Sequence, residues 1–304
     1  LDTTINNTKI FKIEQYYSAT DSHKLIAYST SHNHYLPRYC FEKQEFYPNG
    51  KLMSLEKYNS MGTVIDTSYY CYPNGQLELV ILHHKINTTD KSKSKSQKKE
   101  PELLAIDLLP MDNIQYLAYY DSIGNQLLSN GNGIYKNILK SKNHDFHLGD
   151  YEKGEIRNNI KEGLWKGVIF GKYTFEEKYI NGKLISGITK TPNGEEIAYS
   201  ISYITPKYHK GNKALGKRVI NMIKHTDPLM NSNKIGTLIL AFRIDKEGSL
   251  TNFKILENFG YGLDALINEI YNSDPLYTPA VIKGIKTNTN CIQNMLLDAR
   301  EFPY

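Results

Sequence analysis

Long apolar runs are missing from this chain. No stretch of eighteen apolar residues occurs in it, so none of its segments is built to cross a membrane as a helix. No charged-then-apolar leader is visible, and Leu1 at the start reads as the product of leader removal. Cysteine is scarce: Cys40, Cys71 and Cys291 are the only three, and no two stand in a C-x-x-C arrangement. That excludes zinc-ribbon and dithiol redox motifs. Cys40 and Cys71 can pair and leave Cys291 odd; three buried or partly buried thiols are the alternative. There is no H-E-x-x-H, no phosphate-binding loop and no nucleophile elbow. Gly260-Tyr261-Gly262 opens a helical pattern but lacks the third glycine of a dinucleotide fingerprint. Dispersed positive charge is absent too. The net charge is +5, and Lys91, Lys93, Lys95, Lys98 and Lys99 equal that whole excess in one short segment. A nucleic-acid groove needs basic surface spread among aromatic residues, so no nucleic-acid partner is expected.

What the chain does have is tyrosine, twenty-four of them, suited to half-buried strands. Many flank a repeated turn. Phe46-Tyr47-Pro48-Asn49-Gly50-Lys51-Leu52 returns as Cys71-Tyr72-Pro73-Asn74-Gly75-Gln76-Leu77, with a looser copy at Tyr58 to Val64. The glycines step by twelve and then thirteen residues. Tyr179 to Leu184 and Thr191 to Glu195 repeat the spacing, and Asp121 to Leu127 is a further candidate. Proline presets φ for the first turn position and Asn-Gly accepts left-handed geometry. A turn every dozen residues predicts a meander of short antiparallel strands. Residues 87–101 are polar and low in complexity, and read as a solvated basic loop; contact with acidic headgroups or polyanions is the functional alternative.

The best copy is Glu162-Gly163-Leu164-Trp165-Lys166-Gly167, followed by Tyr173 to Gly187. It resembles the divergent MORN-type repeats of bacterial proteins. Copies in the first half lack the G-x-W-x-G element. The resemblance implies a broad sheet that receives another protein, here on the tyrosine-rich side of residues 160–204.

The last third changes character. Leu238, Leu240, Phe242 and Ile244 alternate as one strand face, Asp245-Lys246-Glu247-Gly248 is a turn, and a return strand carries Phe253 and Ile255. Leu250 is out of phase, which predicts a bulge within Ser249 to Asn252. Leu215, Val219, Met222 and Ile223 predict one helix, and Leu263, Leu266, Ile267 and Ile270 a second. The order Gly236, Phe242, Asp245, Gly248, Leu263-Asp264, Pro275, Tyr277, Pro279-Ala280, Gly284 resembles the carboxy-terminal domain of TonB-type energy transducers over residues of about 206–299. The expected fold class is therefore α+β: an antiparallel hairpin-repeat sheet over 1–110 and 111–205, then a small α+β domain over 206–304. In that last domain two helices would pack on a short antiparallel sheet.

The resemblance implies a periplasmic or outer-membrane-associated protein, without catalysis or cofactor, that takes a protein or peptide partner by strand addition. The strand would run from Asn288 to Leu297. Asn288, Asn290, Ile292, Asn294 and Leu296, with Tyr277, are the candidate partner-binding residues; the transducers' amino-terminal membrane helix and proline-rich span do not occur in this sequence. His144-Asp145-Phe146-His147 offers loop ligands without an identifiable completing partner. Glu176-Glu177 are strand neighbours, hence on opposite faces, and both read as surface residues.

Overall fold

Strands that alternate and turn every dozen residues pair with their neighbours in sequence, because closing a short loop costs least entropy. The computed structural model describes residues 3–5, 8–17, 22–30, 38–84, 114–139, 145–209, 235–257 and 277–298. Its first seven strands are β1 (Thr3–Ile5), β2 (Thr8–Tyr16), β3 (His23–Ser29), β4 (Tyr39–Phe46), β5 (Leu52–Tyr58), β6 (Val64–Cys71) and β7 (Leu77–His83). Eight more follow: β8 (Ile114–Tyr120), β9 (Gln126–Ser129), β10 (Asn132–Ile138), β11 (Tyr151–Arg157), β12 (Ile160–Ile169), β13 (Tyr173–Ile180), β14 (Lys183–Lys190) and β15 (Glu196–Tyr199). All fifteen form one antiparallel sheet in strict sequence order. The ladder continues from β7 to β8, with Leu79 opposite Tyr119 and His83 opposite Ile114 and one register shift between Val80 and Ile81. The first half and the G-x-W-x-G copy thus share one sheet.

The turns along one margin of this sheet are bonded to one another. The Tyr47 hydroxyl donates to the Cys71 carbonyl at 2.7 Å, and the Tyr72 hydroxyl to the Tyr120 carbonyl at 2.9 Å. Asn49 donates its amide to the Pro73 carbonyl, and Asn74 to that of Ser122. Each asparagine also accepts from the backbone two residues on, closing its own turn. Tyrosine and asparagine in the Y-P-N-G unit therefore tie one hairpin to the next, beyond the cross-strand packing that the spacing alone suggests.

One face is buried. Leu79, Ile81, Tyr116, Tyr119, Leu128, Tyr135, Ile156, Trp165 and Tyr179 form a continuous core from β7 to β13. A second cluster joins Leu139, Ile169, Phe170 and Phe175 to Ile282.

The carboxy-terminal third adds β16 (Tyr203–Ile204), β17 (Lys207–Tyr208), β18 (Ile235–Ile244), β19 (Leu250–Glu257), β20 (Tyr277–Thr278), β21 (Ala280–Ile282), β22 (Ile285–Thr287) and β23 (Thr289–Asp298). They make three small antiparallel ladders, β16-β21-β22, β17-β20 and β19-β18-β23. The α+β expectation is corrected here: the described residues are all β, dominated by the large antiparallel sheet, with no helix among them. The physical reason is that antiparallel strand pairing organises the described residues in the last third as it does in the repeat sheet. Both helical stripes, Leu215 to Ile223 and Leu263 to Ile270, lie outside the described residues, as does the basic segment 87–101. The strand–turn–strand unit stands at β18 and β19. Its register shifts between Ala241 and Arg243, opposite Asn252 at φ +53°. No helix among the described residues is long and apolar enough to cross a membrane.

Candidate functional site

Alternation on β11 to β14 points every second side chain at the buried face, and several of those side chains are charged. Glu152 lies inward on β11, Lys161 stands opposite Ile156 on β12, and Glu177 is inward on β13. A fourth charge arrives from far along the chain. The β21–β22 hairpin turns on two residues, Lys283 at φ +49° and Gly284 at φ +81°, the positive pair that such a hairpin requires. Lysine in this region is strained. The turn is clamped in compensation: Lys283 N–H donates to the Ser202 carbonyl at 2.6 Å, and the Thr189 hydroxyl donates to the Lys283 carbonyl at 2.6 Å.

The four charges form an alternating chain. Lys161 Nζ is 2.7 Å from Glu152 Oε2, Lys283 Nζ is 3.6 Å from the same oxygen, and Lys283 Nζ is 2.7 Å from Glu177 Oε2. Exposure falls along it, from 26% for the Lys161 side chain to 11%, 7% and 0% for Glu152, Lys283 and Glu177. Buried charges persist when each has opposite neighbours and its remaining lone pairs are hydrogen-bonded. Glu177 also accepts from the Tyr179 and Tyr199 hydroxyls, both at 3.1 Å, and Glu152 accepts from Asn137 at 3.4 Å. The ammonium groups lie over rings: Lys161 is 4.2 Å from the Trp165 centroid, and Lys283 is 4.0 Å from that of Phe175.

Glycine makes room for the rings. Trp165 lies across Gly154 on the neighbouring strand, where a Cβ would stand 2.4 Å from the indole. Trp165 Nε1 donates to the Glu155 carbonyl at 3.1 Å.

Above the charges is a cavity of about 530 Å³. Tyr116, Tyr135, Trp165 and Tyr179 wall it from the sheet, Tyr203 and Ile282 from the carboxy-terminal ladder, and Lys161, Glu152 and Lys283 supply the charge. A smaller cavity of about 260 Å³ beside Tyr72, Asp121 and Lys136 has no comparable buried network.

Burial alone would push the Glu152 carboxyl up. The ammonium groups of Lys161 and Lys283, with the hydrogen bonds from Lys161 and Asn137, outweigh burial and hold it at about 2 instead of the ordinary 4.5. A folded value below the unfolded one contributes stability that is fully present above about pH 4.5 and is lost as the pH falls toward 2, roughly 3 kcal/mol in all. Unfolding measured across that window should show the loss, and Glu152→Gln should flatten that part of the slope. A carboxyl held so low has no proton to donate at neutral pH. Burial pushes the Cys291 thiol up to about 12, which leaves no thiolate for nucleophilic attack. All three cysteines are free, Cys40 and Cys71 included.

The residues expected to bind a partner are placed as follows. Asn288 accepts from the Lys246 backbone at 3.0 Å and donates to Asp145 at 2.9 Å; Asn290 takes Arg243 at 3.3 Å. Ile292 is half-buried, and Asn294 and Leu296 stand opposite Ile239 and Thr237 on β18. β23 lies at one margin of its three-stranded ladder. Tyr277 belongs to a different ladder and is buried against Tyr208 and Phe242. The structure thus brings the β23 positions into line and leaves Tyr277 apart. In the loop that offered metal ligands, His144 lies outside the described residues and Asp145 is paired with Arg243 at 2.6 Å. Among the described residues no three His, Cys, Asp or Glu side chains gather as a metal would need.

Sequence reasoning missed Glu152, Lys161, Glu177 and Lys283. Glu177 is corrected from surface to core: Glu176 does face outward, paired with Lys166 at 2.6 Å, while its neighbour is sealed. Glu14-x-Tyr16, Glu56-x-Tyr58 and Glu177-x-Tyr179 share a spacing that puts both side chains on one strand face, and each tyrosine hydroxyl meets its glutamate at 2.7, 2.7 and 3.1 Å; the first pair is exposed, so the spacing marks the pairing and not the burial. No family model matches the chain, and neither a curated protein nor a solved structure matches it.

Proposed function

We propose that this chain is a non-catalytic interaction protein of the cell envelope whose repeat sheet seats part of a partner in the cavity over Trp165. The observation that carries the reading is the cavity itself: it falls in the range of ligand sites, its walls are aromatic and aliphatic, and a few polar groups converge at its floor. Tyr179 and Tyr203, from the tyrosine-rich residues 160–204, are among its lining. The envelope setting rests on the resemblance to TonB-type and MORN-type proteins. Strand addition along β23 draws less support, because Asn288 and Asn290 are already engaged with Asp145, Lys246 and Arg243.

Ile201 lines the cavity and is 58% exposed, so arginine there changes access with little effect on packing. Saturation-transfer NMR of the full chain against small amphiphiles and short apolar peptides should find binders that Ile201→Arg weakens. A panel with no binder sensitive to that variant would end the reading, and turnover of any member would contradict the absence of catalysis.

A further inference from the structure

We infer that the cavity takes a small amphipathic carboxylate, an acyl-type acid, with its head on Lys161 and its apolar body along the aromatic and aliphatic walls. This rests on the reading of the cavity as a binding site and adds the chemistry of what fills it.

The first argument is charge. Glu177 is sealed at the inner end of the charge chain and does not line the cavity. The charged groups that do line it are Lys161, Lys283 and Glu152; Lys283 is already paired with Glu177 at 2.7 Å, so the four charges balance and the accessible ammonium is that of Lys161. Both ammonium groups lie against the same oxygen of Glu152. A cationic head would meet the Lys161 and Lys283 ammonium groups, and its place over the Trp165 and Tyr179 rings is already held by Lys161 at 4.2 and 5.0 Å. An anionic head faces no such competition.

The second argument is donors. Lys161 is the most accessible of the four charged side chains. Its ammonium has three donor hydrogens, of which Glu152 at 2.7 Å takes one. Asn137 beside it holds Glu152 only at 3.4 Å, near the limit of a hydrogen bond, and so has amide capacity to redirect. A carboxylate oxygen accepting from an ammonium makes the stronger, charge-assisted kind of bond, and in a site screened from water it gains more than in solution.

The third argument is the walls. Ile114, Leu139, Ile156 and Ile282 stand with the aromatic rings around this polar floor. They offer nothing to a ligand that is polar throughout, and reward an apolar body by its buried area.

The test titrates the full chain with decanoate, decanol and decylammonium, each below its aggregation threshold, following emission of Trp165, the only tryptophan, and confirming by calorimetry. Decanoate should bind about tenfold or more tighter than either analogue, the effect of one charge-assisted contact. Lys161→Gln should reduce decanoate to the level of decanol, and Lys161→Arg should retain most of the preference. Equal affinity for all three, or a preference that survives Lys161→Gln, overturns the assignment. If Lys161→Gln fails to fold, the order of the three ligands on the unaltered chain decides by itself. The Ile201→Arg variant separates the two levels. Decanol or decylammonium binding that it abolishes, without a decanoate preference, overturns the carboxylate and leaves the cavity as a site; ligands indifferent to it overturn both.

Discussion

Replacing Lys283 by methionine is expected to lower the unfolding free energy by about 3–5 kcal/mol, the cost of stranding one member of a buried ion pair. Glu177 is fully buried and 2.7 Å from the Lys283 ammonium. The variant leaves its carboxylate with the Tyr179 and Tyr199 hydroxyls and no cation. Methionine keeps the length of the side chain, and the backbone strain at φ +49° is the same for both residues, so the charge is what the comparison isolates. Adding Glu177→Gln removes the second charge while keeping an acceptor for the two tyrosines, and should restore most of the loss. Urea unfolding read by Trp165 emission measures all three proteins. A double variant as unstable as Lys283→Met would show that the pair is not coupled.

The distance of that pair along the chain explains what the sequence could and could not reveal. Glu177 and Lys283 are 106 residues apart, and Ile282-Lys283-Gly284-Ile285 reads locally as nothing more than a hairpin turn. The parts that were legible are those set by neighbours in sequence. Pro48, Asn49 and Gly50 announce their turn because each supplies a backbone property that the turn needs, and strand order then follows from proximity. The inward and outward halves of Glu176-Glu177 were legible for the same reason, since strand period alone separates them. Which half is buried was not, because that depends on what covers the sheet. The all-β architecture is not legible at the carboxy-terminal end, where Leu215 to Ile223 and Leu263 to Ile270 carry helical periodicity. Neither stripe falls among the described residues, whose order in that region comes from β16 to β23. Tyrosine suits half-buried strands, and many of these do pack. The hydroxyls of Tyr47 and Tyr72 also bond to the next turn's backbone, a use invisible until the turns are stacked.

The second large effect is expected at Trp165, where alanine should cost about 3–5 kcal/mol. The side chain is fully buried and sits where the core, the charge chain and the cavity meet. Removing it deletes the ring that Lys161 lies over, a T-shaped contact with Tyr179 at 6.2 Å and the indole hydrogen bond to Glu155. Cost alone would not distinguish this arrangement from any buried tryptophan, but Gly154 does. A Cβ on Gly154 would stand 2.4 Å from the indole, so Gly154→Ala in the unaltered chain overpacks the site and should cost about 1–3 kcal/mol. In the Trp165→Ala background the ring that this Cβ would meet is gone. Gly154 does not have a positive φ, and alanine within a strand loses less backbone entropy on folding than glycine, an advantage of about 0.5–1 kcal/mol. The same Gly154→Ala change should then become neutral or stabilising. A sign reversal between the two backgrounds, measured as a double-mutant cycle by circular dichroism in urea, is the expected result. Additive effects would mean that the glycine is not there for the ring, and that the spacing of tryptophan and glycine on β11 and β12 has another cause.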